Sequence, residues 1–467
     1  MSDPRIETKE IQTFEASLRG DLIRPGDQRY EQVRSVWNGM IDKRPALIAR
    51  CVGVDDVIAS VRFARDHDLL VAVRGGGHNV AGTATNDGGL VIDLSLMKGI
   101  QVDPEARTAR AEGGARWGEM DQATQAFGLA TQGGAVSDTG IAGFTLGGGF
   151  GWLRSKYGLA CDNLLSAEMV TADGRLIKAN GTENADLFWG IRGGGGNFGI
   201  VTAFEYRLHP VGPEVMFAFV FYPGEITAHV LRSYRDYLAT APDEVGSLAF
   251  LGVVPQDPAF PRESRGRHFA ALGALYAGPV KEGKRVLQPL RGFGEPIVDL
   301  SQPTSYVEAQ RVFDEDYPSG ELRYYWKSLN LDALSDEAID RVVTYAREQP
   351  SPLSTTDIWP IRGAVSRIGE AESAFSGRSA PFMLNLEANW VNPADDWANI
   401  GWVRESLARM SGFSDGSTYF NFAGLLEEGE DAIRTTFAAK YERLVALKKK
   451  YDPTNLFRLN HNIKPGT

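Results

Sequence analysis

Arg74-Gly75-Gly76-Gly77-His78-Asn79-Val80-Ala81-Gly82 is the stretch on which the reading of this chain turns. It follows a short apolar run, residues 69–74, with the length and composition of a buried strand. Consecutive glycines let the backbone adopt conformations that a Cβ forbids and approach a bound group closely. Successive N–H groups in such a loop form an anion-binding concavity. His78 closes the loop, where its ring projects toward whatever the backbone cradles. An isolated histidine is most often structural, and a metal reading has little behind it: no second histidine, cysteine or carboxylate pair stands nearby at ligand spacing.

Two further glycine clusters occupy residues 133–151 and 192–199. Fifty-two of the 467 residues are glycine, above the usual ~7%, and their clustering marks backbone geometry, not a flexible linker. Three such loops in one half of the chain suit the pyrophosphate of a dinucleotide better than a single phosphate; the plain alternative is that each makes only tight turns. Gly194-x-Gly196-x-x-Gly199 has the spacing of a dinucleotide fingerprint, but that fingerprint opens a helix, whereas residues 200–206 read as a strand. A Rossmann site is therefore rejected, and there is no P-loop.

The bulk properties narrow the function. A formal net charge of -11 argues against a nucleic-acid partner, which requires a basic stripe, and against an anionic membrane surface. No apolar run reaches the ~18 residues of a membrane span, and the first ten residues carry no apolar signal core; a cytoplasmic location is expected. Two cysteines, Cys51 and Cys161, allow one disulfide but no disulfide framework, and are too few for a structural zinc site. A chain of this length exceeds a single core of ~250–300 residues.

Periodicity predicts helices over residues 11–40 (partly amphipathic), 55–67 and 117–127, a hairpin over 166–178 turning at Asp173-Gly174, and a strand over 199–208. After Pro210 the glycine clusters cease. Strands at 215–222, 247–254, 268–276 and 382–390 alternate with helices at 226–238, 336–347 and 397–410, and one long helix is expected over 431–450. The fold class is α+β: a two-domain arrangement in which an antiparallel sheet backed by helices occupies 211–412, between a first segment, 1–210, and a last one, 413–467.

With these motifs in hand, the chain resembles the berberine bridge enzyme-like FAD-linked oxidases of the vanillyl-alcohol oxidase superfamily. The loop 74–82 is similar to that family's flavin-attachment loop. Gly147-Gly148-Gly149-Phe150-Gly151 with Lys156–Asn163, the stretch 192–201, and Tyr451-Asp452-Pro453 through Asn460-His461-Asn462-Ile463-Lys464-Pro465 resemble its other blocks. The resemblance covers nearly the whole chain and is loosest over 211–400. It implies that 1–210 and 413–467 bind FAD, and that the sheet covers the flavin ring. It further implies that the flavin 8α-methyl is joined to His78. The cofactor-binding set it implies comprises Arg74, Gly75, Gly76, Gly77, Asn79, Gly82, Val136, Ser137, Thr139, Gly140, Gly143, Gly147, Gly196, Gly199, Ile200, Val201, Asn460 and Asn462. Many members add a cysteine bond to flavin C6; counting back from the triple glycine at 147–149 puts that position at Val136. Cys161 lies too far along to replace it. A single covalent link is expected, as in the 6-hydroxynicotine oxidase-like subgroup. Thr139 stands where the family gates oxygen and is close to the permissive valine in size.

For the chemistry, Tyr419-Phe420-Asn421-Phe422 resembles a family stretch near the flavin. Read as a strand, it puts Tyr419 and Asn421 on one face, with Tyr419 as candidate proton acceptor. In 382–390, Asn385, Glu387 and Asn389 alternate with apolar residues. Either they face solvent, or they line the roof of the site with Glu387 as base or substrate ligand; Tyr325 and Trp326 are weaker wall candidates. The leading expectation is an oxidase that passes hydride from a small alcohol, sugar or amine to flavin and then to O2, giving hydrogen peroxide. The alternatives are a dehydrogenase with another acceptor and a non-catalytic flavin-binding protein.

Overall fold

The computed structural model describes residues 7–427 and 429–466. Three sheets carry the architecture. The first has four strands in the order Asp21–Ile23, Leu47–Arg50, Leu90–Asp93, Val71–Arg74, parallel except for its first pair. Val71–Arg74 ends at the glycine loop, so the strand aims residues 75–78 out of the sheet edge. The second, antiparallel throughout, runs Ile100–Asp103, Thr108–Glu112, Ile200–Arg207, Leu164–Val170, Leu176–Asn180. Its central strand begins directly after Gly199, which is why the 194–199 glycines open no helix.

The third sheet has eight strands, all antiparallel. Its principal ones run in the order Glu214–Pro223, His268–Tyr276, Val245–Val253, Thr355–Pro360, Phe382–Trp390, Arg323–Leu331. Strand alternation divides its faces. Ala218, Val220 and Tyr222 point to one side, into a core shared with the helices Thr227–Leu238 and Asp336–Ala346. Phe217, Phe219 and Phe221 point to the other, toward residues of the glycine-rich part such as Phe150 and Trp152.

The C-terminal stretch returns to the first two sheets. Ile433, Phe437, Leu444 and Ile463 enter the same core as Trp117, Phe198 and Phe204. A buried ion pair fixes the return: Lys448 Nζ donates to Asp452 (2.7 Å), to the Asn197 carbonyl (2.8 Å) and to the Phe457 carbonyl (2.9 Å). Asp452 in turn accepts from the N–H groups of Leu456 and Phe457. All three ammonium donors are used, the condition under which a buried charge is tolerable.

Three local expectations change. Residues 11–40 form only two short helices, Thr8–Ser17 and Tyr30–Arg34, with the strand Asp21–Ile23 between them; Gly20 and Pro25-Gly26 interrupt the run. The long C-terminal helix is two, Gly429–Phe437 and Tyr441–Tyr451, parted at Ala438, whose φ is 45°. Residues 419–422 are not a strand but a 3-10 turn, Phe420–Phe422, entered from Tyr419. Cys51 and Cys161 are buried and not bonded to each other. Among the described residues no helix is long and apolar enough to cross a membrane, and no three metal-ligating side chains cluster.

Candidate active site

A cavity of about 890 Å³ runs from the three glycine loops to the open face of the eight-stranded sheet. Two of the loops meet backbone to backbone. A Cβ on Gly76 would lie 2.5 Å from the Gly140 Cα, and one on Gly140 would lie 2.4 Å from the Gly76 nitrogen. Glycine at both positions is what lets the loop from the parallel sheet seat against the start of the helix Ile141–Leu146. Gly147 serves the site differently: a Cβ there would overlap the Asn421 side chain, so its absence admits Asn421 to the wall.

The residues expected at the cofactor end fall into two groups. Gly75, Gly76, Gly77, His78 and Asn79 line the cavity from the first loop, and Val136, Thr139, Gly140, Gly143 and Gly147 from the second. Gly196, Gly199, Ile200, Val201 and Asn460 complete that end, with Phe457, Leu459 and His461, which the sequence reading did not single out. Arg74, Gly82, Ser137 and Asn462 are not on the cavity wall. The Arg74 guanidinium is turned away to the carbonyls of Val33, Arg34 and Ala84, Ser137 is bound by Asp314, and a Cβ on Gly82 would strike Ile41. These residues shape the loops from behind.

His78 is held as a neutral imidazole. Its ring stacks on Trp37 at 4.2 Å, and Trp37 stacks in turn on Tyr324 at 3.7 Å. Burial, with Arg116 nearby, pushes its pKa down to about 3. Its Nε2 is fully enclosed and has no hydrogen-bond partner in the protein, a costly condition for a polar atom unless a ligand answers it. Open backbone at Gly143 and Gly196, where a Cβ would meet nothing within 4 Å, fits the same end of the cavity to a large planar cofactor with phosphates. Cys161 is not on the wall; it is enclosed, its N–H bound to the Gly148 carbonyl.

Tyr419 and Asn421 also line the cavity. Despite the 3-10 turn, their side chains meet: Asn421 Nδ2 donates to the Tyr419 hydroxyl oxygen at 2.8 Å, and the Gly149 N–H donates to the same oxygen at 3.0 Å. Ser328 Oγ binds both the N–H and the carbonyl of Tyr419, tying the turn to the sheet. Burial raises the Tyr419 pKa above its ordinary value, so the resting hydroxyl keeps its proton.

The far wall is the sheet itself. Asn385, Glu387 and Asn389 are buried, at 0%, 3% and 2% exposure, so the solvated alternative fails for this strand. Glu387 accepts hydrogen bonds from Tyr317 Oη and Asn385 Nδ2, both at 2.6 Å. On the adjacent strand Thr355 stands opposite Glu387, and Asp357, which the sequence reading missed, stands opposite Asn385, diagonal to Glu387. Burial pushes Asp357 up to about 7, and raises Glu387 well above the usual carboxyl range, with the Asp357 charge adding to it. Both carboxyls are thereby shifted toward their protonated forms. Trp326 lines the cavity; Tyr325 lies outside it, its hydroxyl bound to Glu427 and Arg404. No alternation marks Asp357 in the sequence: Thr355-Thr356-Asp357-Ile358-Trp359 is three polar residues followed by two apolar ones.

Comparison with known proteins agrees with this geometry. Residues 45–180 match the family described as FAD binding domain, and residues 418–464 the family described as berberine and berberine like. The chain is 32% identical to (R)-6-hydroxynicotine oxidase of Paenarthrobacter nicotinovorans, over 96% of this chain and 97% of that one. It superposes on the crystal structure of 6-hydroxy-D-nicotine oxidase from Arthrobacter nicotinovorans with a TM-score of 0.86 at 30% identity, covering 96% and 99% of the two chains. It also shares the fold of the glucooligosaccharide oxidase from Acremonium strictum, a protein with a 6-S-cysteinyl, 8α-N1-histidyl FAD, at a TM-score of 0.85 and 24% identity, covering 98% and 100%. This chain therefore belongs to the berberine bridge enzyme-like family of FAD-linked oxidoreductases.

Proposed function

We propose that this protein is an oxidase that carries its FAD on a single covalent bond from His78 to the flavin 8α-methyl group, removes hydride from a small organic substrate, and delivers the electrons to O2 as hydrogen peroxide. One observation carries the reading. A neutral, enclosed imidazole without a protein partner stands on the same cavity wall as a proton-handling cluster of Tyr419, Asp357 and Glu387. Bound FAD supplies a two-electron hydride acceptor that oxygen can reoxidise; the protein supplies orientation and electrostatics.

The residues divide the remaining work. His78, unprotonated and fixed by the Trp37 stack, offers a nucleophilic nitrogen. Val136 has no sulfur to make a second bond, and Cys161 is shut away from the cavity. Tyr419, its oxygen already accepting two N–H groups, has its own O–H free to orient the substrate as a hydrogen-bond donor. The proton acceptor is then the Asp357–Glu387 pair, because Asp357 lies near neutrality, where a general base works best. Tyr419 is in this reading a donor and not the acceptor expected from its sequence context. Thr139, on the wall beside Gly140, leaves the permissive size at the oxygen-gating position and favours O2 as the acceptor.

The test is attachment and product together. Wild-type protein precipitated with acid should keep its yellow colour and carry the mass of FAD, whereas His78→Ala protein should release any flavin it holds. Peroxide should appear stoichiometrically with substrate consumed. Covalent flavin in the His78→Ala protein would overturn the attachment, and a reduced flavin that O2 fails to reoxidise would make the protein a dehydrogenase.

A further inference from the structure

The open face of the eight-stranded sheet is two surfaces in one. Register aligns Ser328, Asn385, Asp357, Phe250, Ala271 and Phe221 in a single row across six strands. The row changes character between Asp357 and Phe250. On one side stand the carboxyl pair, Asn389 and Thr355; on the other, phenylalanines from three strands and two loops. Phe219, Phe221, Phe250, Phe260, Phe269 and Phe313 all line the cavity. Their rings meet mostly edge to face, from 4.8 Å for Phe219–Phe221 to 6.1 Å for Phe219–Phe313. At the mouth the acidic residues Asp257, Glu315 and Asp316 join the lining, and among the described residues the cavity wall contains no lysine and no arginine.

Resting on the oxidase reading above, we propose that the substrate is a hydrophobic amine, its cationic nitrogen against the Asp357–Glu387 pair and an aromatic or branched hydrocarbon body along the phenylalanine wall. Three independent features converge on it. The wall's ionisable side chains are acidic apart from the imidazoles His78 and His461 at the cofactor end, so the approach and the far end both favour a cation. Asp357 is 4% exposed, it faces the cavity, and its Oδ1 accepts no hydrogen bond, as expected of an acceptor that a ligand N–H completes. The phenylalanine surface offers nothing to the ring hydroxyls of a sugar, which would lose their water without replacement, but suits an apolar ring in edge or offset contact. From the bound ion pair, as the reaction begins, the ammonium N–H bond breaks toward the Asp357 carboxylate and an O–H bond forms there. The amine is left neutral, its lone pair free to assist loss of hydride from the adjacent carbon.

The test is equilibrium binding to the flavin-containing full-length protein, by calorimetry and flavin difference absorbance, under anaerobic conditions. The probes are 4-phenylbutylamine, 4-phenylbutanol, butylamine and xylobiose. The phenylamine should bind at least about tenfold more tightly than the phenyl alcohol and than butylamine, which is about 1.4 kcal/mol each. Asp357→Asn should erase the amine–alcohol difference while leaving the benefit of the ring; Glu387→Gln provides the same check should Asp357→Asn fold poorly. Phe219→Ala, at a half-buried position, should reduce the benefit of the ring and leave butylamine unchanged. Equal or tighter binding of the alcohol or the disaccharide overturns the proposal. The two readings fail separately: phenylamine binding with no amine able to bleach the flavin sinks the oxidase and keeps the recognition. Bleaching by a sugar with no amine binding does the reverse.

Discussion

The cavity has two ends built from different materials. At the cofactor end the wall is largely main chain: glycine loops whose shape is set by what a Cβ would strike. At the sheet end the wall is side chains, carried on straight strands whose backbone is ordinary and whose identity is everything. A backbone wall is intolerant of any added atom, and its N–H groups favour an anion whatever the side chains around it. A side-chain wall tolerates substitution structurally and changes its chemistry with each one. The first suits a cofactor that never varies, the second a substrate that differs between relatives, as nicotine and oligosaccharide oxidases of the same fold do.

The sharpest way to break this contrast is at the seam, Tyr419. Tyr419→Phe removes the hydroxyl but keeps the ring packing against Phe150 and Phe422. Anaerobic flavin reduction should slow on the order of 10²-fold or more, with flavin content unchanged. An unaltered stopped-flow rate would take Tyr419 out of the chemistry.

At the backbone end, Gly140→Val must part the 76–140 contact. The expected result is purification with a markedly lower flavin-to-protein ratio and a loss of about 1–3 kcal/mol from overpacking, read by thermal unfolding. Full flavin occupancy and an unshifted midpoint would show that the loops are not locked as described.

At the side-chain end, Asp357→Asn should leave folding intact and change its pH dependence. Burial raises the native Asp357 pKa to about 7, so between the unfolded carboxyl's ~4 and about 7 the native state binds more protons than the unfolded chain. Stability from this group is therefore present at low pH and falls as pH rises through that window. The variant should flatten the decline, measured as thermal midpoints across the same range. A decline as steep as wild type would place its origin elsewhere.

The smallest effect belongs to Cys161→Ala. The side chain is enclosed but off the cavity, so the cost should be about 1 kcal/mol of stability with covalent flavin fully retained after denaturation. Flavin released from this variant would make Cys161 an anchor after all.

The contrast also governs what the sequence could tell. The glycine end was legible because glycine clusters are a local signal: residues 75–78, 140–147 and 196–201 could be placed at one site before any contact was known. The strand 268–276 was legible as an apolar run, and the polar face of 382–390 from alternation. What escaped depends on pairing. Asp357 comes beside Glu387, diagonally, only through the register of two strands about thirty residues apart, and Trp37 meets His78 where Asn38 ties the chain to the carbonyls of Val80 and Tyr324. Tyr419 and Asn421 were placed together for a reason that did not hold, strand alternation, and meet for another, a 3-10 turn braced by Ser328. Whether alternating polar residues faced water or a cavity was undecidable along the chain, because both readings share the same period.

The Lys448 cluster has a consequence in the order of manufacture. The loop at 193–199 is pinned by Lys448 and by the bond between Asn197 and the His461 carbonyl, both contributed by residues made some two hundred and fifty positions later. Until ribosomal synthesis reaches them, the glycine loops at 75–78 and 140–147 face an unfinished third wall. Cofactor capture is thus expected late in biogenesis, once the helix carrying Lys448 has folded.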